Sequence, residues 1–176
     1  LQRLILRNAQ SCKDEIPDSV LSAFGKLLAD TNADKALLAK ALTLPSEAYL
    51  SQLMPVIDID NLHRAREALR LVIGQKFLTQ WSALYTANAP AAGQAYAPSP
   101  AQVGQRRLRA VALRYIQAAD HAQAATLAAA QYAAATNMSD RIAALGVLND
   151  GSGAAREKAM ADFYDFSKHD PLMLDK

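Results

Sequence analysis

The sequence has very few of the residues that build disulfide frameworks, zinc fingers or membrane spans. Cys12 is its single cysteine, which excludes an internal disulfide and a cysteine-based zinc site. The longest mostly apolar run, residues 122–135, is interrupted by Gln123, Thr126 and Gln131 and falls short of the roughly 18 residues of a membrane-spanning helix. We therefore expect a cytoplasmic protein that makes no membrane contact.

Charge of one sign is also scarce. The 19 lysines and arginines face 17 aspartates and glutamates, so the formal net charge is only +2, and we expect no nucleic-acid partner. Hydrophobic residues make up 51% of the 176 residues, which is enough for one substantial core. We predict a single domain over residues 1–176. Because Leu1 begins in what reads as the middle of an amphipathic helix, we expect a piece of a longer protein.

Helical periodicity and helix-capping residues run through the whole chain, and no segment reads as a strand. The first half predicts four short helices, of which the third is capped by Asn32 and stopped by Pro45. A long helix follows from about Asn61 to Thr86, with Asp58 or Asp60 as its cap. At 1.5 Å per residue it would be about 39 Å long and would form the backbone of the domain.

The second half predicts a loop over residues 88–100 and then four more helices. Ser99 and Pro100 begin a helix that ends near Ala118, and Asp120 caps an alanine-rich helix over residues 121–135. Asn137 precedes the next helix, and the last one covers about 154–167. The fold class predicted is all-α, with eight or nine antiparallel helices in an irregular superhelical or HEAT-like array.

Residues that could perform chemistry are few and scattered. His63 and Glu67 are four apart on one predicted helix face and could present two metal ligands, but two ligands do not make a catalytic zinc site. His121 and His169 lie on other elements, and Cys12 has no histidine near it in sequence. We therefore assign no catalytic, cofactor-binding or metal-binding residue to this chain.

Arginines and aromatic residues form the remaining notable groups. One cluster consists of Arg106, Arg107, Arg109 and Arg114, and a second of Arg64, Arg66 and Arg70. Because the net charge is so small, we interpret these arginine clusters as solvated faces or inter-domain ion pairs rather than as phosphate-binding sites. Trp81 and Tyr85 lie among apolar neighbours on a predicted helix, so we interpret this pair as core packing rather than a ligand platform.

Several strings resemble the C-terminal helical domain of the bacterial aminopeptidase N family, which are zinc metallopeptidases of the gluzincin class. In chain order the strings are Leu42-Thr43-Leu44-Pro45-Ser46-Glu47, Val56-Ile57-Asp58, Arg66-Glu67-Ala68-Leu69, Tyr85-Thr86-Ala87-Asn88, Arg107-Leu108-Arg109, Leu113-Arg114, Asn137-Met138-Ser139-Asp140, Ala143-Ala144-Leu145 and Leu172-Met173-Leu174-Asp175-Lys176. The last string resembles a family segment that runs on into Trp-Phe, so we expect the chain to be truncated at both ends.

The resemblance implies a parent enzyme that releases single amino acids from the N-termini of short peptides. In the family, zinc is held by His-Glu-x-x-His and a downstream Glu, and Gly-Ala-Met-Glu-Asn grips the substrate amine. Those motifs belong to an upstream thermolysin-like domain, so no catalytic residue is carried onto this sequence and the chain alone is expected to be inactive. The helical domain would close over that upstream catalytic domain and form the wall of an enclosed chamber.

Two interpretations from different classes therefore stand. The first is the non-catalytic shell domain of a zinc aminopeptidase, with its arginines as docking surfaces because no internal partners are evident for them. On this hypothesis, Arg107 and Arg114 would contribute to domain closure or peptide selectivity. The second is an independent helical scaffold, similar to HEAT or armadillo arrays, that binds a protein partner through a concave face.

Overall fold

A computed structural model describes residues 1–174, and within them every regular element is a helix. The predicted all-α class is therefore confirmed. The elements are α1 (Gln2–Ser11), α2 (Asp18–Ala29), α3 (Lys35–Leu42), α4 (Glu47–Ser51), α5 (Ile59–Lys76), α6 (Leu78–Ala87), α7 (Pro100–Ala119), α8 (His121–Ala134), α9 (Met138–Asn149), α10 (Ala154–Ser167) and α11 (Pro171–Leu174). None of these described helices is long and apolar enough to cross a membrane.

Side-chain caps start most of the helices, because the first backbone N–H groups of a helix have no partner inside it. Ser99, Asp120 and Asn137 cap α7, α8 and α9 as predicted. Asp58, one of the two predicted candidates, caps α5. Its hydrogen bonds from the side chain and backbone of Asn61 lower the pKa of the Asp58 carboxyl.

The predicted cap of α3 is wrong. Asp34, rather than Asn32, accepts a hydrogen bond from the backbone N–H of Leu37 at 2.9 Å, so the helix begins two residues later. Asn32 lies in the preceding turn, where its own backbone N–H donates to the Asp30 carboxylate at 3.0 Å. Asparagine and aspartate both cap helices, so composition alone did not decide between these positions.

The long helix predicted over residues 61–86 is divided at Phe77. Phe77 has φ −120° and ψ 26°, which end α5 at Lys76 and let α6 begin at Leu78. The carbonyl of Ile73 accepts both the backbone N–H of Phe77 at 3.2 Å and the indole N–H of Trp81 at 3.3 Å. Apolar residues on both sides of the break face the same core, so their spacing gave no sign of it. This break and the short α11 account for the two additional helices.

The centre of the fold is α7, not the predicted long helix. At 20 residues α7 is longer than either α5 or α6, and it packs against α3, α5, α6, α8 and α9. Glycine permits two of these close approaches. A Cβ added to Gly104 would lie 2.9 Å from the backbone nitrogen of Ala36, and one added to Gly74 would lie 2.6 Å from the carbonyl oxygen of Tyr115.

The alanine-rich α8 packs between α7 and α9 through its small side chains. Ala124 and Ala128 are completely buried, because their small side chains let the neighbouring helices approach closely. At the C-terminal end, α10 has the predicted bounds, and Pro171 starts a further helical turn that was not predicted. Asp175 and Lys176, at the end of the last resembling string, lie outside the described residues.

Candidate functional site

The arginine cluster on α5 is held by internal partners. Arg66 donates from Nε to the carbonyl of Pro45 at 2.8 Å and from Nη1 to Glu67 at 2.9 Å. Arg70 donates to the other oxygen of Glu67 at 2.6 Å. Arg64 pairs with Asp14, beyond the end of α1. Burial, followed by the positive charge of Arg66, lowers the pKa of Arg70. Arg64 and Arg66 therefore connect α5 to neighbouring segments, whereas Arg70 is paired within α5 itself.

His63 is bonded to a different glutamate from Glu67, which is four residues away on the same helix. Nδ1 of His63 lies 2.9 Å from Oε1 of Glu47, a residue 16 positions earlier that the spacing on one helix did not reveal. Ligand atoms of Glu47, His63 and Glu67 lie within 4.8 Å of one another, as a metal site requires. Both oxygens of Glu67, however, already accept hydrogen bonds from guanidinium groups. Two positive charges thus stand where a cation would bind, and the cluster does not fit zinc.

The arginines of α7 differ among themselves. Arg106 lies over the ring of Tyr96 at 4.8 Å, and Arg109 lies over the ring of Tyr85 at 4.6 Å. The remaining two arginines of the cluster contrast sharply with each other. Arg114 donates to Asp150 at 2.5 Å and to Gln117 at 3.1 Å, which ties α7 to the end of α9. Arg107 is exposed and has no hydrogen bond or ion pair with any described residue.

The expectation that the arginines lack internal partners is therefore wrong for every member of the two clusters except Arg107. Guanidinium groups reach acids and carbonyls that are distant in sequence, so their pairing depends on how the helices pack. Of the two arginines expected to mediate docking, Arg114 is bound to Asp150 of the same domain. Arg107 has no partner among the described residues and is free to contact another surface.

A cleft of about 500 Å³ lies between α5 and α7, and we call it the arginine cleft. Its charged lining residues are Glu47, His63, Arg66, Glu67, Arg70 and Arg114. Tyr115 also lines it and donates its hydroxyl hydrogen to the carbonyl of Leu42 at 2.8 Å. Burial raises the pKa of Tyr115, so the phenol stays protonated far above neutral pH. Three arginines against two glutamates leave the cleft positive.

Comparison with known proteins assigns the fold to a family. A family profile described as "Domain of unknown function (DUF3458_C) ARM repeats" matches residues 1–176. The chain belongs to this family. Aminopeptidase N of Escherichia coli strain K12 is 29% identical over 172 residues, covering 98% of this chain and 19% of that protein. Aminopeptidase N of Caulobacter vibrioides is 32% identical over 174 residues, covering 98% of this chain and 20% of that protein.

A solved structure agrees with the fold of the DUF3458_C domain. The crystal structure of Legionella pneumophila aminopeptidase A in complex with aspartic acid superposes with a TM-score of 0.83 and 22% identity. The match covers 98% of this chain and 22% of that one, so it shows a shared helical fold. The resemblance to the aminopeptidase N family is confirmed, and this chain spans about one fifth of the length of these relatives.

The other candidate side chains of the DUF3458_C domain do not converge on one site. His121 is exposed in the first turn of α8, and His169 is exposed after α10. Cys12 is exposed at the end of α1, where its Sγ lies 3.7 Å from Oδ1 of Asn61. The structure brings none of these three side chains together with the cluster around His63. Each is a surface group on a different part of the domain.

The aromatic pair belongs to the core of the DUF3458_C domain, as predicted. Trp81 is completely buried and stacks on Tyr115, with ring centroids 4.2 Å apart and an interplanar angle of 8°. Tyr85 is also buried, and its hydroxyl donates to Oε1 of Gln131 at 2.9 Å while accepting from Arg109 at 3.1 Å. Gln131 is a buried polar residue that the alanine-rich sequence of α8 did not single out.

Proposed function

We propose that this chain is a non-catalytic helical domain of a zinc aminopeptidase. In that enzyme it would form the wall of a chamber around the catalytic site and admit only short peptides. The observation that carries the proposal is the similarity to aminopeptidase N, which covers 98–100% of this chain in three bacteria but only 19–20% of each relative. The remaining four fifths of such a protein are long enough to hold the catalytic domain and its zinc.

The chemistry of the described residues supports a structural role. In the arginine cleft Glu67 is paired with both Arg66 and Arg70, and Tyr115 is buried with its pKa raised. A rigid wall benefits a hydrolase because it excludes bulk water and folded proteins from the reaction site without supplying an acid or base. Zinc is assigned to the catalytic domain of the parent, since the cluster around Glu67 does not fit it.

Arg107 is the residue we propose for docking on the catalytic domain. Its exposure and its lack of an internal partner leave the guanidinium available for an acid on another surface. Replacing it by alanine removes this contact without disturbing any bond within the described residues. In the enzyme encoded by the whole reading frame, Arg107→Ala should therefore change the ratio of kcat/KM for a hexapeptide to that for alanyl p-nitroanilide, while the melting temperature of this domain stays unchanged.

Two further arginine variants serve as controls for that experiment. Arg114→Ala removes the tie to Asp150 and should lower thermal stability, by up to about 1 kcal/mol because both side chains are partly exposed. Arg3→Ala removes an exposed arginine of α1 and should change neither property. If Arg107→Ala and Arg3→Ala gave the same ratio across peptide lengths, the docking role of Arg107 would be refuted.

The assignment as a non-catalytic domain has its own test. The purified chain should retain no stoichiometric zinc after dialysis and should not hydrolyse alanyl p-nitroanilide. Metal bound at one equivalent, or turnover by the chain alone, would contradict the proposal. A parent reading frame that lacks an upstream His-Glu-x-x-His motif would instead support the independent helical scaffold.

A further inference from the structure

The segment that joins α4 to α5 exposes a concentration of large apolar side chains. Leu53 is 48% exposed, Val56 82%, Ile57 56% and Ile59 69%. All four lie within a stretch of seven residues, so their side chains share one region of the surface. We call these four residues the Val56 patch. Apolar side chains exposed singly are normal, whereas a group of them marks a surface that contacts something else.

The Val56 patch is not needed to complete the core. Leu50 and Leu62, on the helices before and after it, are buried, and Met54 within the segment packs against the core. The segment therefore already supplies its share of inward-facing apolar residues, and the patch remains at the surface. Because removing apolar area from water is favourable, a surface that covers the patch would gain free energy from the contact.

Carboxylates without ion-pair partners edge the Val56 patch. Asp58 and Asp60 lie in the same segment, and both are exposed. Neither forms an ion pair with any described residue. Residues 41–62 contain no lysine or arginine, and Arg64, the next one along the chain, is paired with Asp14. A complementary surface should therefore be apolar at its centre and carry lysine or arginine at its edge.

We propose that the Val56 patch docks this domain against the rest of its parent chain. The inference rests on the proposed function, in which about four fifths of an aminopeptidase lie outside this chain. A partner in the same polypeptide is always present at a high effective concentration. Surfaces between domains of one chain also combine apolar and polar groups, as the patch and its acids do. This contact is distinct from the one proposed for Arg107, which lies on α7.

Covalent footprinting with a photoactivated carbene, read residue by residue by mass spectrometry, tests the docking. The purified chain is compared with the protein encoded by the whole reading frame. We expect labelling of Val56, Ile57 and Ile59 to fall at least about fivefold in the whole protein, because exposures of 56–82% would drop to those of an interface core. Ile5 is completely buried and should stay unlabelled in both proteins. Equal labelling of the patch in the two would overturn the proposal.

Two double variants of the whole protein test the apolar character of the contact without relying on the purified chain. Val56→Asp with Ile59→Asp places charges in the contact and should raise the labelling of Leu53 and Ile57. Val56→Ile with Ile59→Val is the matched control, which keeps the surface apolar and should leave both residues protected. Protection that survived the aspartates, or that was lost equally in the control, would refute docking through this patch.

Two further measurements identify the occupant and separate this inference from the proposed function. If the patch were labelled in the whole protein but became protected in the purified chain as its concentration rose, a second copy would be the partner and the proposal would be wrong. Hydrolysis of alanyl p-nitroanilide by the whole protein tests the proposed function by itself. Protection without hydrolysis would contradict the proposed function alone, whereas hydrolysis with a freely labelled patch would contradict the docking surface alone.

Discussion

The close approach of α5 and α7 at Gly74 yields a prediction whose size follows from the structure. The added Cβ of Gly74→Ala would lie 2.6 Å from the backbone oxygen of Tyr115 and 3.3 Å from Cβ of Ala119. The first contact involves backbone, so no side-chain rotation relieves it and the two helices must separate. The arginine cleft lies between these helices, so the substitution tests the packing on which that cleft depends.

Two opposing terms set the magnitude of the effect. Overpacking a tight interface costs about 1–3 kcal/mol, whereas replacing glycine by alanine inside a helix contributes about 1 kcal/mol of stability. Because the contact at Tyr115 is with backbone, we take the upper part of the first range and expect a net loss of about 1–2 kcal/mol. For a chain of 176 residues this corresponds to a melting temperature lower by about 2–8 °C.

Gly25→Ala is the matched control, because Gly25 also lies inside a helix. The new Cβ would meet only the ring of Phe77 at 3.4 Å, an ordinary contact. It should therefore raise the melting temperature by about 1–4 °C. Scanning calorimetry measures both variants. Fluorescence of Trp81, the one tryptophan, should change in the Gly74 variant alone, since Trp81 stacks on Tyr115. A Gly74→Ala protein as stable as the unmodified chain would refute the reasoning.

Two further predictions concern a buried phenol and a helix cap. Burial raises the folded-state pKa of Tyr115, so its contribution to stability is complete below about pH 10 and is lost above it, by up to about 1.4 kcal/mol per pH unit. Tyr115→Phe should flatten the loss measured by denaturant titration between about pH 10 and 11. Asn137→Ala removes a cap and leaves the buried Asp140 carboxylate without its donor, which should cost about 1–2 kcal/mol in chemical denaturation. Asp34→Ala removes an exposed cap and should lower the free energy of unfolding by less than Asn137→Ala does. An equal loss in the two variants would contradict the role of burial.

Local signals in the sequence predicted most of the helices. Ser99 before Pro100, Asp120 and Asn137 each combine a capping side chain with a following periodic stretch, and each starts a helix in the structure. Gly74 and Gly104 had no such local meaning, because a glycine inside a helix reports nothing about its neighbours. Their roles became evident only once α5 and α3 were packed against α7.

The candidate sites were much less predictable. Glu47 joins His63 and Glu67 from a separate helix, and Arg114 finds its acid 36 residues away at Asp150. Neither relationship has a fixed spacing in sequence, since each depends on which helices happen to face each other.

By itself, the sequence determined the helical class, most helix boundaries and the family, since capping, periodicity and ordered strings of residues act over short distances along the chain. Tertiary structure alone decided that α7 is the centre, that a helix ends at Phe77 and which charges neutralise each other. Those outcomes depend on close packing and on Coulomb interactions. Both act over a few ångströms in space, between side chains that are remote in sequence.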